Sequence, residues 1–173
     1  ALQNCFKPPK KNGEEVVFGD TAFRAGDKVM QTRNDYNMEW RKPRPGGGWE
    51  EGQGVFNGDM GFVEEVNRED REVLVRFDDE REARYDAASL EDLELAYCVS
   101  VHKSQGSEFP VVVMPAVGGP PMLLTRNLYY TAVTRAKRLV VLVGRVACVS
   151  QMVQNVNIAR RYSALKQWLR QAP

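Results

Sequence analysis

Two short, unbroken apolar runs constrain this chain more than any other feature. Val111-Val112-Val113-Met114 is closed by Pro115, and Leu139-Val140-Val141-Leu142-Val143 is closed by Gly144. Runs of this length, with no polar alternation, read as strands buried on both faces. Between them Thr125 to Lys137 has helical potential, with Leu128, Ala132, Val133 and Ala136 on one side. Strand, helix, strand predicts a parallel α/β unit, because parallel neighbours require a crossover connection. Both runs fall far short of the ~18 residues a membrane-spanning helix needs, so no membrane contact is expected. Farther on, Val156 to Leu169 sets Ala159, Tyr162, Leu165, Trp168 and Leu169 near helical spacing, which predicts a packing helix.

The first half has a different rhythm. Residues 1–20 are polar and turn-rich, and Pro8-Pro9 ends a helical turn begun at Leu2 to Phe6. Residues 21–95 read as small β elements. Lys28 to Thr32 is a strand after an Ala25-Gly26-Asp27 turn, and Asn57-Gly58 is a tight-turn signal. Glu72 to Phe77 alternates, with Val73, Val75 and Phe77 on one face; Asp78-Asp79-Glu80 turns the chain, and Glu82 to Tyr85 returns. Tyr36 to Gly54 holds Pro43, Pro45, Gly46, Gly47, Gly48, Gly52 and Gly54, a density that predicts a mobile surface loop. Short strands with glycine turns suggest a small SH3-like barrel, the alternative being an irregular β-meander.

Composition narrows the function. Among 173 residues, 24 Lys and Arg against 23 Asp and Glu leave a net charge of +1, so no chain-wide basic field coats nucleic acid. A local groove is still compatible with that balance. The three cysteines, Cys5, Cys98 and Cys148, are far apart, and His102 is the single histidine. Neither a disulfide framework nor a metal site is expected from them. No secretory leader pattern is present, which makes a reducing cytoplasm the expected compartment. The start at Ala1, without Met, is read as a cut through a longer enzyme.

Two segments concentrate reactive chemistry. Ala96 to Phe109 packs His102, Lys103, Ser104, Gln105, Gly106, Ser107 and Glu108 beside the first apolar run. Polar groups so dense next to a buried strand need partners, and a loop at the edge of an α/β sheet is where ligands bind. A solvated loop is the plainer alternative. Asn127 to Lys137 carries Arg135 and Lys137, either exposed helix charges or groups facing an anion; a guanidinium offers planar donors that match phosphate oxygens.

Together these segments resemble motifs V and VI of the superfamily 1 helicases. The upstream stretch Phe23-Arg24-Ala25-Gly26-Asp27-Lys28-Val29-Met30-Gln31-Thr32-Arg33-Asn34-Asp35-Tyr36, followed by Phe56-Asn57-Gly58-Asp59, is similar to the RecD-like ATP-dependent DNA helicases, the exodeoxyribonuclease V alpha subunit type. The resemblance implies a partial RecA-like motor domain, of the P-loop NTPase type, with an inserted SH3-like β-barrel. Residues 1–20 and 96–173 would belong to the second motor domain and residues 21–95 to the barrel. It implies that Arg135 is the catalytic arginine of motif VI, extended to the γ-phosphate of ATP. Gly106 would lie close to the nucleotide, Glu108 would accept from its ribose, and Gln105 would sit between γ-phosphate and DNA. His102 and Ser104 match motif V positions that face the DNA strand. Thr32, Arg33 and Asn34 look like a second DNA-facing strip, with Asn57 and the basic stretch Arg41, Lys42 and Arg44 opposite.

The sequence holds no GxxxxGK[ST] phosphate loop and no acidic Mg²⁺-binding motif after an apolar strand. ATP with Mg²⁺ is thus expected as the cofactor of a parent protein, with the Mg²⁺ ligands outside this chain, and the segment alone is expected to be inactive. The parent is expected to move 5′ to 3′ on single-stranded DNA, partnered by the N-terminal motor domain of the same polypeptide. Two rivals stay open: a non-catalytic docking module of a RecBCD-type complex with RecB/RecC-type subunits, and an RNA helicase of related motor type.

Overall fold

The computed structural model describes residues 2–9, 14–156 and 170. The helix expected over residues 156–169 lies, beyond Val156, outside the described residues. The chain divides into two compact units, Ala1–Ser107 and Glu108–Pro173.

The first unit opens with a short helix, α1 (Leu2–Phe6), and a hairpin of β1 (Glu15–Phe18) and β2 (Thr21–Arg24). Seven further strands follow: β3 (Lys28–Gln31), β4 (Asp35–Pro43), β5 (Trp49–Val55), β6 (Met60–Asn67), β7 (Glu72–Phe77), β8 (Glu82–Tyr85) and β9 (Leu93–Leu95). They form one antiparallel sheet in the order β5-β4-β8-β7-β6-β3-β9. The alternation in β7 does what its period demands: Val73, Val75 and Phe77 are buried. Val55 of the edge strand β5 and Leu93 of the opposite edge share that core with Phe23 and Tyr85.

Tyr36 to Gly54 is not a loop. It folds as the β4–β5 hairpin, whose Gly46-Gly47-Gly48 tip turns through positive φ, as does Gly54 near the end of β5. The glycines concentrate at that tip, while Gly52 sits in the strand opposite Trp40, with the indole lying directly against it where a β-carbon would intrude.

Two polar clusters hold this unit. Arg81, in the β7–β8 turn, donates to Asp79 at 2.6 Å, to Asp59 at 2.7 Å and to the Gly54 carbonyl at 2.9 Å. Asp27 is fully buried and accepts from Gln3 Nε2 at 2.6 Å, Tyr97 Oη at 2.7 Å and the Arg24 amide at 2.8 Å. Burial, reinforced by the bond to the Asp27 carboxylate, pushes the Tyr97 phenol up to about 12.

The second unit contains β10 (Phe109–Ala116), α2 (Arg126–Val133), β11 (Ala136–Gly144) and α3 (Val146–Gln154). β10 and β11 pair in parallel, as the strand-helix-strand pattern predicts, with Val111 opposite Leu139 and Val113 opposite Val141. Thr125 caps α2 by accepting the Leu128 amide. The helix stops at Val133 rather than reaching Lys137, and Ala136 begins β11. The expected two-sided burial of the strands is not observed. Val113 is 65% exposed and Leu139 53%. An apolar run sets a preference for strand, but its burial depends on covering layers, and among the described residues β10 pairs only with β11. No helix of the described residues is long and apolar enough to cross a membrane.

Candidate nucleic-acid and nucleotide sites

The upstream strip begins where β3 ends. Thr32 donates its amide and its hydroxyl to the Asp92 carbonyl, at 2.8 and 3.0 Å, which fixes the chain as it leaves the sheet. Arg33 points outward; its Nη1 lies 3.3 Å from both Glu91 Oε1 and Asp92 Oδ1. The Arg33–Glu91 pair is well exposed and contributes little, about 0–1 kcal/mol; Asp92 Oδ1 is buried without a hydrogen-bond partner, with the Arg33 charge beside it. Asn34 Oδ1 accepts the Asn57 amide at 2.9 Å, and this bond joins the strip to the Phe56–Asp59 turn. The turn is closed by the Asp59 amide on the Phe56 carbonyl at 2.9 Å, with Gly58 at φ +96°. Gly58 in turn donates to the Gln31 carbonyl, and Gln31 donates to that of Asp59, at 2.9 Å each. Beneath this exchange the buried Gln31 side chain accepts from Tyr85 Oη at 2.6 Å, and burial pushes the Tyr85 phenol well above its ordinary value. Four of the sequence-selected residues, Thr32, Arg33, Asn34 and Asn57, therefore form one patch.

The second stretch, residues 101–106, is a series of turns after β9. Lys103 Nζ pairs with Glu94 Oε2 of β9 at 2.5 Å. A β-carbon built on Gly58 would stand 3.9 Å from Ser107 Oγ, so the end of this loop borders the Asn57-Gly58 turn. His102 and Gln105 are exposed. Ser104 is buried and its hydroxyl donates to the Val101 carbonyl at 2.8 Å. Contact between this hydroxyl and a phosphate requires it to exchange that bond. Gly106 has φ +87° with nothing within 4 Å of a built β-carbon, so the backbone conformation itself favours glycine and the space beside it is open.

The remaining residues lie in the second unit. Glu108 pairs with Lys137 at 3.1 Å, both well exposed. Lys137 is thus a strand residue of β11, not a helix residue. Arg135 sits between α2 and β11. Its amide donates to the Ala132 carbonyl, its carbonyl accepts the Phe109 amide, and its Nε donates to the Thr131 carbonyl at 3.3 Å. The C-terminal turn of α2 thus holds the guanidinium, as its partial negative charge favours. One guanidinium and one carboxylate suit a terminal phosphate and a ribose. Among the described residues no group of three or more His, Cys, Asp or Glu could hold a metal ion.

Of the basic stretch expected to face the DNA strand, Arg41 has partners on β8 and β5. Arg41 pairs with Glu82 at 3.1 Å and lies 4.3 Å from the Trp49 ring centroid. Sequence reasoning passed over the two aromatics that border the patch, Tyr36 and Phe56, although each directly neighbours or nearly neighbours a selected asparagine.

Comparison with known proteins gives two successive matches. The SH3 domain of ATP-dependent RecD-like DNA helicases matches residues 1–77, and the UvrD-like helicase C-terminal domain matches residues 95–143. The ATP-dependent RecD2 DNA helicase of Deinococcus radiodurans is 35% identical over 136 residues, covering 79% of this chain and 16% of that protein. The RecBCD enzyme subunit RecD of Mycolicibacterium smegmatis is 31% identical over 151 residues, covering 87% of this chain and 23% of the relative. An uncharacterised protein of Methanocaldococcus jannaschii, MJ1519, is 33% identical over 132 residues, 72% of this chain and 11% of its own length. The chain thus spans less than a quarter of each of these relatives. With its SH3-domain and UvrD-like matches lying side by side in the order the motifs require, the chain belongs to the RecD-like helicase family.

Proposed function

We propose that this chain is the segment of a 5′–3′ ATP-dependent DNA helicase that supplies the arginine finger and part of the single-stranded DNA track. The observation that carries this reading is the pair of adjacent family matches, one over the Thr32–Asn57 patch and one over Gln105 to Arg135. Residues 21–95 act as a barrel inserted into a second RecA-like motor domain, to which residues 1–20 and 96–173 belong. The N-terminal motor domain of the same polypeptide supplies the phosphate loop and the Mg²⁺ ligands.

ATP bound with Mg²⁺ supplies the phosphoryl group whose transfer drives the motor. In this chain Arg135 neutralises charge on the phosphoryl oxygens, Glu108 accepts from the ribose after releasing Lys137, and Gln105 and Gly106 lie against the nucleotide. Thr32, Arg33, Asn34, Asn57, His102 and Ser104 hold the strand. Because Arg135 engages only when the motor domains close, nucleotide binding favours the closed state.

Arg135→Ala in the full-length protein tests this. Arginine fingers in related NTPases contribute about 10³–10⁵ in rate; steady-state ATPase is expected to fall at least about 10³-fold, with single-stranded DNA affinity within about twofold. Retained turnover refutes the assignment, and robust ATPase from the isolated chain refutes its dependence on the missing motor domain. A second reading, a subunit of a RecBCD-type complex, is favoured by the mycobacterial RecD match; co-purification with RecB/RecC-type subunits identifies it.

A further inference from the structure

Tyr36 and Phe56 stand out of the first unit, 67% and 42% exposed, with ring centroids 5.7 Å apart and planes at 74°. Neither ring is loosely held. Asp35 Oδ1 accepts the Asn37 and Met38 amides at 2.9 and 3.0 Å, fixing the backbone around Tyr36, and Met38 is buried in the core. The Phe56 amide donates to Asp59 Oδ2 at 3.0 Å, and that carboxylate is itself held by Arg81. The Phe56 ring lies across Gly54, where a β-carbon would stand 3.0 Å from it. The Asn34 carboxamide donates from Nδ2 to Tyr36 Oη at 3.4 Å.

Such a pair offers a preorganised aromatic surface at little entropic cost. Its surroundings limit what fits. Arg33, Asn34, Asn37 and Asn57, next to the rings along the chain, are polar and exposed, so the apolar area is that of two rings. A protein partner requires about 800 Å² per side; a nucleobase requires one ring face. The Asp35 and Asp59 carboxylates beside the rings accept amide bonds, and the Asn57 carboxamide has no hydrogen-bond partner among the described residues.

We propose that Tyr36 and Phe56 form a stacking site for an unpaired base of single-stranded nucleic acid, with the Asn57 carboxamide and the Arg33 guanidinium placed to bond its flanking phosphates. The proposal rests on the reading of the Thr32–Asn57 patch as nucleic-acid-facing and adds where a base, rather than a phosphate, is held. Stacking accepts every base, so the site grips without reading sequence.

The test is equilibrium binding of the full-length protein to single-stranded oligonucleotides, by fluorescence anisotropy. Tyr36→Ala and Phe56→Ala are each expected to weaken binding at least about fivefold, with the slope of log affinity against log salt unchanged because no phosphate contact is removed. Tyr36→Phe and Phe56→Trp keep affinity; Phe56→Leu, which keeps apolar volume without a π face, loses it. Scanning a single abasic residue along the oligonucleotide gives a position that weakens wild-type binding but not that of the double alanine variant. This scan on the wild type requires no substitution to fold. Alanine variants of unchanged melting temperature that bind within twofold, or a scan with no sensitive position, overturn the stacking site while leaving the patch reading intact. A wild-type protein that fails to bind single-stranded DNA at low salt overturns both. Variants that keep DNA affinity but lose a protein partner identify the rings as a protein contact and overturn the proposal.

Discussion

The β7 strand and the β10 strand are both rich in valine, and they use it oppositely. In β7, Val73 and Val75 alternate with Leu74 and Arg76 and are fully buried, while Leu74 and Arg76 are not. In β10 the valines run without interruption, and Val113 is 65% exposed. An alternating strand needs one covered face and finds it within its own unit. A continuous apolar strand needs two, and the described residues do not supply them. The first unit buries an apolar core of its own. The second carries apolar surface of the kind that marks an interaction site, in keeping with the proposed motor domain completed by other strands of the same polypeptide.

That contrast can be broken by mutation. Phe77→Ala removes a buried ring from the first core and is expected to cost about 3–5 kcal/mol, measured by urea unfolding. Val113→Ala at an exposed position is expected to cost less than about 0.5 kcal/mol. If the two variants lose comparable stability in the isolated chain, β10 is covered there and the contrast fails.

A smaller effect sharpens the same comparison through pH. Tyr85 and Tyr97, both in the first unit, are held neutral by burial, Tyr97 up to about 12. Unfolded tyrosine titrates near about 10. A raised phenol contributes stability that is complete below the unfolded value and is lost as pH rises through the folded one. Alkaline unfolding of the first unit between about pH 10 and 12 is therefore expected, followed by circular dichroism. Tyr97→Phe flattens the pH dependence in that window, at the cost of one bond to Asp27. An unchanged slope shows that Tyr97 does not titrate with unfolding.

Much of the fold was legible because its signals are local. The β7–β8 hairpin, the Lys28 strand and the parallel pair each follow from period and turn chemistry within a few residues. The β4–β5 hairpin was hidden because its turn chemistry spreads into its strands. Gly52 reads as a breaker when it is a contact point for Trp40, visible only once the register is known. The candidate site was legible as a set of residues but not as a set of bonds. The Thr32 hydroxyl is committed to Asp92, the Ser104 hydroxyl to its own turn, and Glu108 to Lys137. Partners far along the chain do not announce themselves in a short window, and Arg41 shows the same: neither its pair with Glu82 nor its approach to the Trp49 ring is visible in its own segment.

The bonds gathered on Asp27 also set an order of events in time. Gln3 and Tyr97 come from opposite ends of the first unit, and closing so long a loop costs entropy before any contact offsets it. The tie is therefore expected to form after the folding barrier has been crossed. Weakening it with Asp27→Asn should hasten unfolding and leave refolding nearly unchanged in stopped-flow traces. The acid at position 27 then governs how long the folded unit lasts, not how quickly it is reached.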